Sequence, residues 1–218
     1  MIFRDRRAGG EALAGLLQEY TGRDDVIVLA LPRGGVPVAD EIANRLGVAM
    51  DVFVVRKLGV PQQPELALGA IASGGVCVID PDTVQALGIP DSAIEAVARR
   101  EQQELERRER LYRGERGAPE LEDKIVILVD DGLATGASMR SAVAAVRQQR
   151  PARIIVAVPV AARQTCEALH EIADEVVCAA TPTPFFAVGQ WYEIFDQTSD
   201  EEVHELLARS RARERRAA

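Results

Sequence analysis

The sequence predicts an α/β fold, a doubly wound, Rossmann-like parallel sheet of about five strands, and three observations carry that prediction. Short, unbroken, β-branched runs recur along the chain, as at 26–31 and 125–129, the pattern of strands buried on both faces. Segments with helical apolar spacing alternate with them. The chemically suggestive motifs fall where runs end, the edge at which such sheets bind ligands.

The elements follow in order. A helix is expected around residues 10–20, a first buried strand at 26–31, then Pro32-Arg33-Gly34-Gly35 and a helix at 36–46. A second strand is expected at 50–55, ending at Val55-Arg56-Lys57. From 58 to 79 the chain becomes irregular, with Gly59, Pro61, Pro64 and Gly69. A Gly74-Gly75 turn between apolar runs there reads as a loop and a β-hairpin. A helix capped by Asp91 runs to about residue 112, dense in Glu and Arg, with a thin stripe of Ile94, Val97, Ala98, Leu105 and Leu111. Such a helix is mostly a solvated surface. Further strands are expected at 125–129, 154–160 and 175–178. After the first of these, Met139, Ala142, Val143, Ala145 and Val146 recur at helical spacing until Arg150 and Pro151 close the helix.

Composition bounds what the chain does. Its 218 residues suffice for one well-buried domain plus an accessory element. With 26 basic and 34 acidic residues the net charge is −8, which argues against a general nucleic-acid or membrane-surface binder. Residues 209–215 hold four arginines and are expected to fray into solvent as a charged tail. Cys77, Cys166 and Cys178 are irregularly spaced, with no pair at metal-ligand spacing, and read as buried small residues in a reduced compartment. His170 and His204 fall in polar helical stretches and offer little to metal or nucleophile chemistry. No apolar run reaches ~18 residues and the N-terminus is charged, so a soluble, cytoplasmic protein is expected.

Residues 126–138, Val-Ile-Leu-Val-Asp-Asp-Gly-Leu-Ala-Thr-Gly-Ala-Ser, are the most informative stretch. An apolar strand ends in two carboxylates, and a short loop then opens a helix. Ala134, Thr135, Gly136, Ala137 and Ser138 would sit at that helix N-terminus, where free N–H groups and the positive dipole end favour a phosphate. Thr135 and Ser138 add hydroxyl donors. Asp130 and Asp131 would repel a phosphate but accept hydrogen bonds from neutral hydroxyls such as those of a ribose. A strand whose terminal acid serves as nucleophile, as in receiver domains or haloacid-type phosphatases, is the competing reading. It has no need of the Ala-Thr-Gly-Ala-Ser loop.

This segment resembles the thirteen-residue phosphoribosyl pyrophosphate motif of the type I phosphoribosyltransferases, matching it in order at nearly every position. It departs at Gly132, where the family carries a larger apolar residue, read here as local loosening after the strand. Pro32-Arg33-Gly34-Gly35 is similar to the family's Arg-Gly-Gly pyrophosphate loop, with exposed N–H groups and a planar guanidinium suited to phosphate oxygens; a plain tight turn is the alternative. The resemblance implies an irregular ω or φ/ψ at Pro32, Arg33 or Gly34. Arg56-Lys57 resembles the pair preceding the mobile catalytic loop, where it meets pyrophosphate, against the alternative of a solvated strand terminus.

What the resemblance implies is then a single domain over residues 1–218, with a loop, hairpin and long-helix insertion at 58–118 and a C-terminal hood at 181–198. It implies transfer of the 5-phosphoribosyl group from phosphoribosyl pyrophosphate to a nitrogen of a base-like acceptor, with release of pyrophosphate. Asp130, Asp131, Lys57 and Arg33 are the candidate catalytic residues. The loop 134–138 would hold the 5′-phosphate, and Arg33, Gly34, Gly35, Arg56 and Lys57 the pyrophosphate. Mg²⁺ is the implied cofactor, bound through ligand oxygens and water rather than by a dedicated protein cage, and a homodimer is the implied assembly. Four of the nine aromatic residues fall between Phe185 and Tyr192. Phe186, Val188 and Trp191 there are candidate acceptor contacts, or else part of a hydrophobic clasp. Hypoxanthine-guanine enzymes place an Asp where this chain has Ala134, so the acceptor is left open. A protein that senses phosphoribosyl pyrophosphate or a nucleotide without turning it over is the alternative function. Hydrolysis or phosphorolysis of a nucleotide at the same site is a third.

Overall fold

The computed structural model describes residues 2–61 and 63–217. In chain order the elements are α1 (Arg6–Leu16), β1 (Val26–Ala30), α2 (Gly35–Leu46), β2 (Ala49–Val52), β3 (Val55–Val60), β4 (Gln63–Ala72) and β5 (Val76–Ile79). They continue with α3 (Pro81–Leu87), α4 (Asp91–Arg113), β6 (Ile125–Val129), α5 (Ala137–Gln148), β7 (Arg153–Val160), α6 (Arg163–Leu169), β8 (Glu175–Ala180) and α7 (Asp200–Ala217).

Five strands form a parallel sheet in the order β2-β1-β6-β7-β8. The five residues of β1 and of β6 are all buried, and alternate side chains feed two cores. Val26, Val28 and Ala30 pack toward α1, α2 and α7, whereas Ile27 and Leu29 pack with Met139, Val143 and Leu169 on the opposite face. Each fully buried aliphatic side chain contributes on the order of 1.5–3 kcal/mol relative to exposure. The chain steps outward from β1 to β2, then returns to β6 on the other side of β1. The C-terminal ends of β1 and β6 thus flank the crevice where the winding reverses, the usual ligand position in open α/β sheets.

The expected fold class stands, with local corrections. The second strand stops at Val52, and the run resumes as β3 in a separate antiparallel sheet, β3-β4-β5. The apolar sequence 50–55 hid this break, because Phe53 and Val54 are buried on either side of it. Arg56 and Lys57 therefore stand on the antiparallel sheet; the hairpin expected about Gly74-Gly75 is formed by β4 and β5, and most of the stretch expected to be loop is strand as well, with register shifts around Gly59. α1 begins at Arg6, four residues early, because Gly9 and Gly10 lie within the helix as buried residues rather than ending it. α3, capped by Asp80, was not anticipated.

Two further expectations are overturned. The arginine-rich C-terminal segment is not a frayed tail: it is the last part of α7, anchored by buried Val203, Leu206 and Leu207. Arg213 and Arg209 reach the buried carboxylate of Asp40 at 2.5 and 3.5 Å, with Arg7 at 4.0 Å. A carboxylate so far from water requires such partners. Nor are the cysteines three buried, unpaired residues. α6 packs over β8 and joins Cys166 to Cys178 in a disulfide with Cα atoms 6.8 Å apart, while Cys77 is exposed. Among the described residues no helix is long and apolar enough to cross a membrane.

Candidate active site

Backbone register builds the site first. Ala30 pairs with Val129, so β1 and β6 end side by side and their loops leave together. The Leu31 N–H donates to the Val129 carbonyl at 2.8 Å, drawing the 32–35 turn against Asp130 and Asp131. The Pro32–Arg33 peptide is cis, an irregular ω of the kind the resemblance implies for this turn. A Cβ on Gly35 would lie 2.6 Å from the Val129 carbonyl oxygen, and one on Gly34 2.1 Å from Asp131 Oδ2. The absence of side chains at these two positions is what allows the two loops to touch.

After β6, Asp130 Oδ1 accepts from the Asp131 N–H at 2.8 Å. Burial, together with the neighbouring Asp131 charge, raises the Asp130 carboxyl well above the usual carboxylate range. Burial raises Asp131 as well, opposed by the Arg6 guanidinium. Arg6 Nε donates to Asp131 Oδ2 at 2.8 Å, and its Nη1 to the Asp196 carbonyl at 2.6 Å. Its guanidinium carbon lies 4.0 Å from the Phe195 ring centroid, within cation–π range. The Tyr192 hydroxyl donates to the Asp131 carbonyl at 2.5 Å.

The loop 134–138 leads into α5 with Gly136, at φ +69°, as the helix N-cap. Ala134, Thr135, Ala137 and Ser138 are exposed around it, so the N-terminal N–H groups open toward solvent at the carboxyl edge of the sheet. Thr165, from α6, donates its hydroxyl to the Ala134 carbonyl at 2.6 Å and fixes the loop from behind. Leu133 bridges to Ala161.

Gly132 corrects the sequence reading. It is a tight spot rather than a loose one: a Cβ there would stand 2.5 Å from Val188 Cγ1 and 3.0 Å from Val160 Cγ1. The space a larger family residue would fill is taken by Val188 from the 181–198 segment, which closes over the motif.

The predicted residues are brought together unevenly. Gly34, Gly35, Asp130, Asp131 and the 134–138 loop share one edge. Arg33 reaches toward Asp200 at 3.8 Å, beside a cavity of about 370 Å³ also lined by Arg107, Arg108 and Tyr112. Arg56 is held by Glu101 of α4 through Nε and Nη2 at 3.0 and 2.6 Å, and Lys57 follows, exposed, on the same strand. Phe186 is 76% exposed. Trp191 instead stacks on Phe185 at 6.4 Å, with its indole N–H buried and without a partner among the described residues. Arg6, Thr165 and the Tyr192 hydroxyl escaped sequence reasoning. Their partners lie 125, 31 and 61 residues away, beyond the reach of any local pattern.

The fold and this edge define a class of protein, a doubly wound α/β domain that presents a paired carboxylate and two anion-ready loops at its switch point. The chain belongs to the phosphoribosyl transferase domain family, whose model matches residues 5–193. It is 46% identical over 209 residues to two Mycobacterium tuberculosis proteins, one from strain H37Rv and one from strain CDC 1551, each named as a "putative phosphoribosyl transferase". That match covers 96% of this chain and 47% of theirs, so the chain spans about half the length of these curated relatives. The crystal structure of TT1426 from Thermus thermophilus superposes with a TM-score of 0.87 at 44% identity, covering 96% of this chain and 99% of that one.

Proposed function

We propose that the chain transfers the 5-phosphoribosyl group of phosphoribosyl pyrophosphate to a nitrogen of a small base-like acceptor and releases pyrophosphate. The observation that carries this reading is the contact of the Gly34 backbone with the Asp131 carboxylate. It sets a loop suited to pyrophosphate against a group suited to ribose hydroxyls, one short loop from a helix N-terminus suited to the 5′-phosphate. In this reading the N–H groups and hydroxyls of 134–138 fix the 5′-phosphate, with Thr165 keeping the loop in shape. Asp130 and Asp131 accept from the ribose hydroxyls and face the positive charge that develops as the anomeric bond to pyrophosphate breaks. Arg33 and the N–H groups of Gly34 and Gly35 hold the departing pyrophosphate, joined by Arg56 and Lys57 if β3 and β4 approach. The 181–198 segment, pinned on Gly132 through Val188, excludes water from the acceptor side, with Phe186 and Trp191 as its candidate contacts.

Mg²⁺ fits this donor set as a substrate-borne ion, screening the pyrophosphate charge. The local acids are two, and one is already paired with Arg6. Among the described residues no group of three or more His, Cys, Asp or Glu is placed to hold a metal. A homodimer in the cytoplasm, acting on small molecules rather than on nucleic acid or membrane, completes the proposal.

The second reading, a ligand sensor that does not turn substrate over, gains support from Arg56. In this state its guanidinium is engaged by Glu101 rather than presented to the pyrophosphate loop. Pyrophosphate release from phosphoribosyl pyrophosphate and Mg²⁺, measured across purine, pyrimidine and other nitrogen acceptors alongside calorimetric binding, separates the two. Acceptor-dependent release supports transfer. Tight binding without release under any acceptor supports the sensor, and no binding refutes both.

A further inference from the structure

Arg6 is not an ordinary surface cation. Its side chain is 12% exposed and its partner Asp131 16%. The guanidinium is held on three sides: by the Asp131 carboxylate, by the Asp196 carbonyl and by the Phe195 ring, which itself stacks on Tyr192 at 5.1 Å. A side chain fixed this way loses little further entropy on use, unlike an exposed ion pair that must order two long side chains. Asp131 Oδ2 is wedged between Arg6 and Gly34, which turns Oδ1 into the less encumbered acceptor.

The chemistry required of Asp131 makes this placement informative. To accept hydrogen bonds from sugar hydroxyls through its full set of lone pairs, the carboxylate must be ionised. Its immediate neighbour is another carboxylate, and both are withdrawn from water, conditions that favour a shared proton over two charges. Among the described residues, the groups facing Asp131 that carry or can carry charge are Arg6 from α1, the adjacent Asp130, and the Tyr192 phenol, which burial and the Asp131 charge keep protonated. Asp5 is engaged with Arg4 and the Ala8 N–H, and Arg33 is turned toward Asp200. Arg6 is therefore the cation that opposes protonation, and it stands on the first helix of the chain, outside every motif the sequence displays.

We propose that Arg6 is a positioning residue of the ribose subsite: it keeps Asp131 ionised and turned so that the free carboxylate oxygen meets the sugar hydroxyls. The inference rests on the proposed function and deepens it. Because Asp196 and Phe195 hold the guanidinium, Arg6 stays in place when the sugar arrives and shares Asp131 with it. Its positive charge also offsets negative charge on the diacid, easing the approach of a polyanionic substrate.

The test uses the full chain with Arg6→Gln, Arg6→Lys and Phe195→Leu. The first readout is the ¹³C-carboxyl titration of Asp131 without ligand, assigned with Asp131→Asn. The second is the pH profile of KM and kcat for phosphoribosyl pyrophosphate. Arg6→Gln is expected to move the Asp131 titration upward by about one pH unit, with KM rising about tenfold, more than kcat falls, and the acid limb of kcat/KM moving the same way. Arg6→Lys recovers part of the shift. Phe195→Leu, which removes the stacking but keeps the charge, leaves the titration in place. Coincident titrations in wild type and Arg6→Gln overturn the proposal, as do equal, pH-independent losses in Arg6→Gln and Phe195→Leu. A titration shifted by Arg6→Gln, together with a wild-type protein that binds no phosphoribosyl pyrophosphate, overturns the ribose reading itself, and the two failures are thereby distinguished.

Discussion

Replacing Gly34 by Ala probes the contact on which the functional reading depends, and its consequences can be worked from the geometry. Gly34 has φ −58° and ψ −35°, a conformation alanine adopts freely, so the substitution strains no backbone and restricts the unfolded chain by about 0.4–1 kcal/mol in favour of folding. The new Cβ, however, would stand 2.1 Å from Asp131 Oδ2 and 2.6 Å from its Cγ. Restoring even a tight 3.0 Å contact moves the oxygen by about 0.9 Å, away from Gly34 and out of line with Arg6. Overpacking of this kind costs about 1–3 kcal/mol, so the net loss of stability is on the order of 1–2 kcal/mol, or a few degrees in Tm for a domain this size. A displacement near 1 Å at a reacting centre costs about 10²-fold in rate. Calorimetric affinity for phosphoribosyl pyrophosphate, kcat/KM for pyrophosphate release and thermal unfolding should therefore separate, with function falling about a hundredfold while the fold persists. Unchanged affinity and turnover in a folded Gly34→Ala protein would refute the claim that this contact organises the site.

The remaining predictions follow from other contacts. Asp131→Asn should lower turnover far more than stability, since it removes an acceptor but also relieves repulsion from Asp130; matched losses in activity assays and denaturant melts would count against the ribose assignment. Asp130→Asn keeps the oxygen that accepts the Asp131 N–H. The folded-state Asp130 carboxyl is raised, so the native state binds its proton more tightly than the unfolded chain does, and stability falls as pH rises from the unfolded value toward the folded one. The variant should thus melt above wild type at neutral pH, with the gap closing as pH drops toward the ordinary carboxylate range. Arg213→Ala leaves the buried Asp40 to Arg209 and Arg7, so a loss of about 1–3 kcal/mol is expected by chemical denaturation. Thiol counting on oxidised native protein should find Cys77 alone reactive, and all three cysteines after reduction and unfolding.

The parallel sheet and the heart of the motif were legible because their signals are local. Four consecutive apolar residues, two acids and a Gly-Thr-Ser loop state their strand, turn and helix within thirteen positions, and the 32–35 turn does so within four. What escaped depends on distance along the chain. The apolar run through Phe53 and Val54 looks the same whether one strand continues or two sheets meet, so β2 and β3 merged. Gly132 reads as looseness until Val160 and Val188 are placed beside it. The arginines of α7 carry the composition of a disordered tail, and only the buried carboxylate of Asp40, more than 160 residues earlier in sequence, turns them into an anchor. Arg6 is the extreme case: nothing within a dozen residues of it hints at Asp131.

The threading of this site from segments far apart in sequence, residues 3–6 and 191–196, bears on the order in which it can be made. Phe3 bridges to Tyr192, Arg6 bonds to the Asp196 carbonyl, and the Phe3 N–H donates to the Trp191 carbonyl at 2.8 Å. These loops close over about 190 residues, and contacts of such separation form late because closure entropy must be overcome before they gain anything. On the ribosome, with the N-terminus emerging first, β1, β2 and β6 can assemble while Arg6 still lacks its aromatic and carbonyl supports. A nascent chain halted before residue 190 would hold its diacid without the clamp, so the proposed sugar-phosphate subsite would wait for contacts from the 185–196 stretch.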